Sequence, residues 1–324
     1  MLSRADLRQL LKFGEVIEAV AAAFAAYSGG QTETPLRVGV EPPGGGGVLL
    51  TMPSAVAKPP ALGAKIVSVF RGNAARGLPT VNSIYVLSEY DTGMPLAIMD
   101  GGYLTALRTA AGSAVATREL ARGDAATLGV FGTGVQATFH VEMIRRVRPV
   151  TRVLVVATSV DKAAAFTAWV AEATGLRADV ATPEQASAAD IVAVCTTSPT
   201  PVVVAEAVRD GAHINAVGAF TPTTRELPGA LVNRARVYAD TRAGALSESG
   251  DLLLAIGEGL FALDRVVGEV GEVLLGEAPG RRSPDEVTVY KSVGAAFLDA
   301  ATARLAFEQA GHQAVGTVYE FDAE

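Results

Sequence analysis

The spacing of apolar and polar positions changes along the chain and divides it into segments of different structure. Residues 1–30 have helical spacing and predict two helices, the first opened by the capping signal Ser3-x-x-Asp6. From Pro35 onward, short apolar runs alternate with turns rich in proline and glycine, which predicts strands. Because turns rather than helices join these strands, we expect a mainly antiparallel sheet. The predicted strands are Leu36–Val40, Val48–Met52, Ala64–Phe70, Val81–Ser88 and Pro95–Met99.

A long helical pattern, Leu104 to Ala121, separates this region from a second one. After Asp124, short buried strands alternate with helical segments, and a final helix is predicted from Ala295 to Ala310. This alternation is typical of a doubly wound parallel sheet, so the fold class is α/β. The predicted strands are Leu128–Phe131, Arg152–Ala157, Ala178–Ala181, Ile191–Val194, His213–Val217, Arg236–Ala239 and Val287–Tyr290.

Composition narrows the classes of function. The 324 residues suffice for about two domains. A net charge of −7 argues against nucleic acid as a partner, because phosphates need a basic surface. A single cysteine, Cys195, excludes an internal disulfide, and with three scattered histidines we expect no metal site. The apolar run Ala19–Ala26 is preceded by Glu15 and Glu18, which favours an amphipathic helix over a signal peptide. We therefore expect a cytoplasmic protein with no membrane segment.

The strongest motif is the turn Gly132-Thr-Gly134-Val-Gln-Ala137, which follows the first strand of the predicted parallel sheet and opens a helix. The first glycine permits a tight turn and the second lets the backbone approach a pyrophosphate. The small third residue allows helix and strand to pack closely, and the helix N-terminus faces the negative charge. A plain glycine-rich turn is the alternative, but the strand, the helix and the βα alternation together indicate a dinucleotide site.

The second strand of this sheet ends at Ala157-Thr158-Ser159, where an enzyme specific for NAD usually has an acid for the ribose 2′-hydroxyl. Without that acid a 2′-phosphate is admissible, and two hydroxyl groups can donate to it. The corner also has no arginine to require the phosphate. We therefore expect NADP or NAD as the cofactor, with NADP preferred. Further cofactor neighbours are expected where strands end, at Thr196, Val217 and Gly218.

Three cations, Lys65, Arg108 and Arg37, are candidates to bind an anionic group. The predicted strand Ala64–Phe70 is apolar on both faces, so we expect it to be covered on both sides, and Lys65 would then be desolvated. Arg108 shares a helix face with small residues, and its guanidinium suits a carboxylate. Arg37, in the strand Leu36–Val40, is a weaker candidate. The alternatives are a Lys65 that extends to water, an Arg108 that is paired internally and a solvated Arg37 at the edge of the sheet.

Several motifs, in order along nearly the whole chain, resemble the ornithine cyclodeaminase and mu-crystallin family. They are Gly63-Ala-Lys65-Ile-Val-Ser-Val69, Thr92-Gly-x-Pro-Leu-Ala-Ile-Met-Asp100-Gly, Leu104-Thr-Ala-Leu-Arg108-Thr-Ala-Ala111, Gly132-Thr-Gly-Val-Gln-Ala137, Ile214-Asn-Ala-Val-Gly-Ala219 and Lys291-Ser-Val-Gly-Ala-Ala296. The family includes cyclodeaminases, alanine dehydrogenases, cyclic imine reductases, opine-type synthases and mu-crystallins that also bind thyroid hormone. Their enzymes move a hydride between a nicotinamide and the α-carbon of an amino or imino acid.

The resemblance implies a Rossmann domain over residues 118–293. It also implies an α+β domain for substrate binding and dimerisation over residues 1–117, to which residues 294–324 return, and a homodimer. Arg37, Lys65 and Arg108 match residues that hold the substrate carboxylate, with Lys65 as the catalytic residue near the reacting centre. The residues assigned to the cofactor are Thr109, Gly132, Thr133, Gly134, Val135, Gln136, Thr158, Ser159, Thr196, Val217, Gly218 and Lys291.

The chain departs from the cyclodeaminases at Phe220. There, cyclodeaminases carry an aspartate that assists proton transfer, and phenylalanine can neither take nor give a proton. A reductase does not need a proton-transferring group at this position, because an imine nitrogen can arrive protonated. An aromatic side chain there also favours an apolar, ring-shaped substrate. Phe220 as a core residue is the alternative.

We therefore expect an NAD(P)H-dependent oxidoreductase acting on C=N groups, which reduces Δ1-pyrroline-2-carboxylate or Δ1-piperideine-2-carboxylate to L-proline or L-pipecolate. The alternatives are an alanine-type amino-acid dehydrogenase and an ornithine cyclodeaminase. A mu-crystallin-like protein that binds a small ligand without catalysis is a further alternative.

Overall fold

The computed structural model describes residues 1–319, apart from the side chains of Arg71 and Ala74. Residues 320–324, the end of the predicted returning segment 294–324, lie outside the described residues. The chain forms two compact units, the first comprising Met1–Arg108 and the chain from Ala295 onward, the second Thr109–Gly294. The predicted boundary after residue 117 lies further along the same helix.

The first unit consists of one antiparallel sheet with helices on one face. Its helices are α1 (Arg4–Leu10), α2 (Phe13–Ser28), α3 (Gly101–Leu120), which continues into the second unit, and α11 (Ala296–Gln313). Its strands are β1 (Thr32–Glu33), β2 (Val38–Val40), β3 (Val48–Ala57), β4 (Pro60–Val69), β5 (Val81–Ser88) and β6 (Pro95–Asp100), and a 3-10 helix spans Arg71–Arg76. The predicted capping box at Ser3 and Asp6 is present.

Register explains which side chains of this sheet are buried. The strands pair in the order β1-β3-β4-β5-β6, with β2 also on β3, and all pairs are antiparallel as predicted. Lys65 lies opposite Tyr85, on the face against which α11 packs. Ile66 and Ser68, on the other face, are only half-buried. The sequence predicts that the strand Ala64–Phe70 is covered on both faces. Among the described residues, the face that carries Lys65 is covered and the opposite face is covered only in part, because this unit's long helices pack on one side.

The second unit contains the predicted βα alternation. Its strands are β7 (Thr127–Phe131), β8 (Arg152–Val156), β9 (Arg177–Val180), β10 (Ile191–Val194), β11 (His213–Ala216), β12 (Arg236–Ala239), β13 (Val266–Glu269) and β14 (Thr288–Lys291). Its helices are α4 (Val135–Val147), α5 (Val160–Thr174), α6 (Pro183–Ser187), α7 (Gly229–Arg234), α8 (Arg242–Glu248), α9 (Gly250–Gly257) and α10 (Val270–Leu275). Two 3-10 helices, Ala205–Ala207 and Leu263–Arg265, complete it.

All eight strands are parallel, in the order β13-β12-β14-β11-β10-β7-β8-β9. Both faces are covered, as the continuous apolar strands require. On β10, Val192 and Val194 belong to one apolar cluster, whereas Ile191 and Ala193 belong to the cluster on the opposite face. The predicted α/β fold with a doubly wound sheet is confirmed.

Strand β13 is the main element that the sequence pattern did not predict. It has four residues, follows a 3-10 turn and lies at the edge of the sheet, so it lacks a long apolar run. The two-residue β1 was also missed, and the predicted strand Val287–Tyr290 lies one residue later, at Thr288–Lys291.

No helix among residues 1–319 is long and apolar enough to cross a membrane.

Candidate active site

A buried cluster of opposite charges lies in the first unit. Lys65 on β4 and Arg108 on α3 both contact Asp299 on α11, with Nζ–Oδ2 at 2.8 Å and Nε–Oδ1 at 3.1 Å. Lys65 is 2% exposed, Arg108 is 5% exposed and Asp299 is fully buried. One carboxylate against two cations leaves a surplus positive charge, which suits a small anionic ligand.

The charges in this cluster set one another's pKa values. Burial lowers the pKa of Lys65 to about 8, and Arg108 and Arg37 lower it as well, while Asp299 acts in the opposite direction. Burial acts to raise the pKa of Asp299, but Arg108 and Lys65 outweigh it and hold that pKa below its ordinary value. Asp299 therefore stays ionised and keeps Lys65 protonated at neutral pH.

Arg37 is half-buried and close enough to Lys65 to affect its pKa. It was predicted inside a strand, but β2 begins at Val38, so Arg37 precedes the strand. The structure thus places the three predicted cations in one unit and brings Lys65 and Arg108 onto one carboxylate.

Asp299 is the residue of this cluster that sequence reasoning missed. It lies in the middle of α11, where its neighbours three and four positions away are Ala295, Ala296, Thr302 and Ala303. The same argument that singled out Arg108, a charge on a helix face of small residues, applies to Asp299. That signal was available in the sequence, whereas the pairing with Lys65 was not.

The glycine turn of the second unit fits a dinucleotide. Gly132 has φ +102°, and a Cβ there would lie 2.6 Å from the carbonyl oxygen of Cys195, so this turn requires glycine. Gly134 is the N-cap of α4. It has no side chain to cap the helix, and the space where a Cβ would project is open. The side-chain oxygen of Gln136 is buried and has no hydrogen-bond partner among the described residues. A free helix N-terminus beside open space is the arrangement that a pyrophosphate needs.

The ends of β7, β10 and β11 adjoin one another at the carboxyl edge of the sheet. The backbone at Gly132 lies close to the carbonyl of Cys195, as described above. The backbone at Gly218 is likewise close to its neighbour, because a Cβ there would lie 2.2 Å from the carbonyl oxygen of Thr196. The structure therefore brings together the predicted cofactor residues Gly132, Thr196 and Gly218. Val217 continues β11 and donates its N–H to Val194.

The other predicted cofactor residues have varied surroundings. Thr133, Val135 and Thr158 are exposed or half-buried, and Ser159 is the N-cap of α5, where its hydroxyl accepts from the N–H of Lys162. Thr109 is buried in α3. Lys291 is fully buried, and its ammonium donates to the carbonyls of Ala216 and Ala219 at 3.3 and 2.6 Å. Lys291 therefore contacts the backbone that follows β11.

Phe220 lies in the loop after β11 and is 36% exposed, so the alternative of a core residue does not describe it.

Burial raises the pKa of the Cys195 thiol well above its ordinary value, which keeps it protonated and weakly nucleophilic. Among residues 1–319, no group of three or more His, Cys, Asp or Glu side chains is arranged to hold a metal ion.

The sequence model of the ornithine cyclodeaminase/mu-crystallin family matches residues 1–314. The chain belongs to this family. It is 40% identical to a Delta(1)-pyrroline-2-carboxylate reductase of Bacillus cereus over 324 residues, which covers 99% of each chain. The resemblance inferred from the motifs is confirmed.

Two solved structures have the same fold over almost their whole length. The Delta(1)-pyrroline-2-carboxylate reductase of Thermococcus litoralis, in complex with NADH and L-proline, superimposes with a TM-score of 0.95 at 37% identity, covering 98% of this chain and 99% of that one. An archaeal alanine dehydrogenase dimer with bound NAD gives a TM-score of 0.94 at 34% identity, covering 99% and 98%.

Proposed function

We propose that this family member is an NAD(P)H-dependent reductase of a cyclic imino acid, converting Δ1-pyrroline-2-carboxylate or Δ1-piperideine-2-carboxylate to L-proline or L-pipecolate. The observation that carries the proposal is the buried Lys65–Asp299–Arg108 cluster, whose surplus positive charge suits one carboxylate. The identity with the Bacillus cereus reductase and the NADH and L-proline bound by the Thermococcus litoralis enzyme support it.

The residues of each unit have separate tasks in this reaction. Lys65, Arg108 and Arg37 bind and orient the substrate carboxylate, which fixes the adjacent imine carbon. Lys65 is the catalytic residue, since its ammonium is the group that resemblance places nearest the reacting centre. The turn Gly132–Gln136 and the strand ends at Thr196, Val217 and Gly218 hold the dinucleotide, whose nicotinamide supplies the hydride when bound.

Phe220 separates reduction from cyclodeamination. Deamination and ring closure need a group that moves protons at the substrate nitrogen, and a phenyl ring cannot do this. A cyclic iminium brings its own proton, and its ring presents an apolar face that the half-exposed Phe220 side chain can contact. We infer that Phe220 contributes to the choice of a ring-shaped substrate.

Two assays test the reaction directly. Purified protein is expected to oxidise NADPH with Δ1-pyrroline-2-carboxylate in the absence of ammonia, and to release no ammonia from L-ornithine. An alanine-type dehydrogenase would instead require ammonia and pyruvate, and a binding protein would turn over neither substrate. Net ammonia release from ornithine would refute the interpretation of Phe220.

The protonation of Lys65 predicts a pH dependence of carboxylate binding. Pyrrole-2-carboxylate is a suitable ligand because neither its ring nitrogen nor its carboxylate titrates near neutral pH. Since burial lowers the pKa of Lys65 to about 8, the ammonium is present below pH 8 and lost above it. The dissociation constant should be flat below pH 8 and rise about tenfold per pH unit above it, measured by calorimetry. In Lys65→Arg, which stays charged, that rise should vanish; its persistence would assign it to another group.

The corner after β8 leads us to propose that NADPH is accepted and preferred over NADH. No acid occupies residues 157–159, and the exposed Thr158 and half-buried Ser159 offer hydroxyls near the N-terminus of α5. The KM for NADPH is expected to be lower than that for NADH. Thr158→Asp should raise the KM for NADPH about tenfold or more by repelling the 2′-phosphate, with little effect on NADH. A lower KM for NADH in the unmodified protein would contradict this preference.

We further propose a homodimer formed through the outer face of the antiparallel sheet. Register places Val38, Val40, Leu49 and Ile84 on this face, and the two valines are 61% and 63% exposed. An exposed apolar sheet face of this kind is typical of an interface. Sedimentation should give the mass of two chains, and Leu49→Lys should shift it toward one, whereas the exposed Leu275→Lys in α10 should not. A monomer at micromolar concentration would refute the proposal.

A further inference from the structure

Two adjacent strand ends of the second unit share one buried carboxylate. Oε1 of Glu226 accepts from the N–H and the hydroxyl of Thr196, both at 2.7 Å, after β10. Oε2 accepts from the N–H groups of Gly218 and Ala219, at 2.7 and 3.1 Å, after β11. Glu226 is fully buried. Burial raises its pKa to about 7, whereas Lys291 and Thr196 act to lower it. The ionised form fits the geometry, because all four groups donate to it.

A second charged pair, Lys291 and Asp251, contacts the same backbone. The ammonium of Lys291, at the end of β14, donates to the carbonyls of Ala216 and Ala219 and lies 2.8 Å from Oδ2 of Asp251. Oδ1 of Asp251, in the first turn of α9, accepts from the N–H groups of Glu226 and Leu227, at 2.7 and 2.8 Å. Both the N–H and the C=O of Ala219 are therefore fixed by buried charges.

Stability alone is a weak explanation for such a network. Three buried charges are costly to desolvate, and apolar residues of similar volume often stabilise a fold equally well or better. The network does restrict movement. A Cβ on Gly218 would lie 2.2 Å from the carbonyl oxygen of Thr196 and 2.4 Å from Oε1 of Glu226, so the backbone there is closely packed. Residues 217–220 are thus held in one position relative to β10.

The place of this segment in the sheet indicates what it serves. The order in which the strands are added to the sheet reverses at β7: β8 lies on one side of β7, and β10 and β11 lie on the other. In such sheets the ribose of the adenosine half lies at the end of the second strand, here β8. The nicotinamide half therefore falls on the side of β10 and β11, where residues 217–220 and Thr196 lie.

We propose that Glu226 and Lys291 are positioning residues, which fix residues 217–220 from inside the second unit so that the nicotinamide half of the cofactor is held in one orientation. This inference rests on the proposed function. Lys291 was assigned to the cofactor from the resemblance. In this proposal Lys291 acts on the cofactor through the backbone of Ala216 and Ala219 and not by direct contact.

Glu226→Gln tests the inference, because the amide keeps the shape of the side chain but turns one acceptor into a donor that faces other donors. ADP-ribose and NADH differ by the nicotinamide, so calorimetry with both separates the two halves. The Kd for ADP-ribose should stay within about twofold and that for NADH should rise about tenfold. The kcat for imine reduction should fall about 100-fold, with the imino-acid KM little changed. Amide exchange measured without ligand should accelerate at residues 217–220 and not at the glycine turn.

Three further measurements separate positioning from a general loss of structure. The isotope effect on kcat with NADH deuterated at the transferred position should increase, because a misplaced nicotinamide makes hydride transfer limiting; a smaller folded fraction would leave it unchanged. Glu226→Asp keeps the charge and should recover part of the activity. Lys291→Met should reproduce the weaker binding of NADH, and the exposed Glu277→Gln should change nothing.

Equal weakening of ADP-ribose and NADH, or unchanged NADH affinity and kcat in folded Glu226→Gln, would overturn the inference. If the unmodified protein reduces no imine, the proposed function fails. The NADH, ADP-ribose and exchange measurements then still decide whether residues 217–220 are positioned by Glu226.

Discussion

Lys65→Met should lower kcat/KM for the cyclic imino acid about 10³-fold, corresponding to the loss of about 4 kcal/mol when one partner of a buried charge pair is truncated. The change leaves Arg108 paired with Asp299 through the 3.1 Å contact, so the remaining pair is neutral. The cluster then has no surplus positive charge to attract a carboxylate. Because no buried charge is left alone, the variant should remain folded.

The measurement combines steady-state kinetics with binding of the cofactor. Affinity for NADPH should be unchanged, since the glycine turn belongs to the other unit. Lys12→Met, which removes an exposed lysine from the same unit, is the matched control and should retain full activity. Imine reduction at the level of the unmodified protein by Lys65→Met would remove Lys65 from the catalytic residues.

The parts of the fold that sequence could predict are those with local signals. The turn Gly132–Ala137 and the apolar strand before it are contiguous, and at Gly132 the positive φ and the close carbonyl of Cys195 leave glycine as the residue type that fits. The antiparallel sheet followed from short turns between β-rich runs. Strand β13 has no comparable signal, since its four residues include Gly268 and are stabilised mainly by pairing with β12.

The candidate sites depended on pairings that the sequence does not display. Lys65 and Asp299 are 234 positions apart, so a lysine on an apolar strand could be flagged but its anion could not be named. Glu226 gave no signal at all, because its four donors come from Thr196, Gly218 and Ala219, and only the order of strands makes them neighbours. A buried charge can be suspected from the apolar or small residues around it in the sequence, but its partner is set by topology.

Asp299→Asn should have the largest effect on stability. The change removes the only carboxylate contacting both cations in the described cluster and leaves Lys65 and Arg108 buried beside each other. Breaking a buried pair in this way costs about 3–5 kcal/mol, which corresponds to a fall in Tm of about 10 °C. Chemical denaturation and calorimetry measure both quantities. Asp91→Asn, at an exposed position of the same unit, should be neutral.

A double-mutant cycle shows whether the cost arises from repulsion between the cations. In an Asp299→Asn background, Lys65→Met removes one of the two like charges and should restore about 2 kcal/mol of the free energy of unfolding, although the same substitution removes a salt bridge in the unmodified protein. Asp299→Asn also removes the charge that raises the pKa of Lys65, so that pKa should fall below 8. The rise in the dissociation constant of pyrrole-2-carboxylate should then begin at lower pH. Additive effects of the two substitutions, with that rise unmoved, would show that Asp299 fills space and does not govern the charge of Lys65.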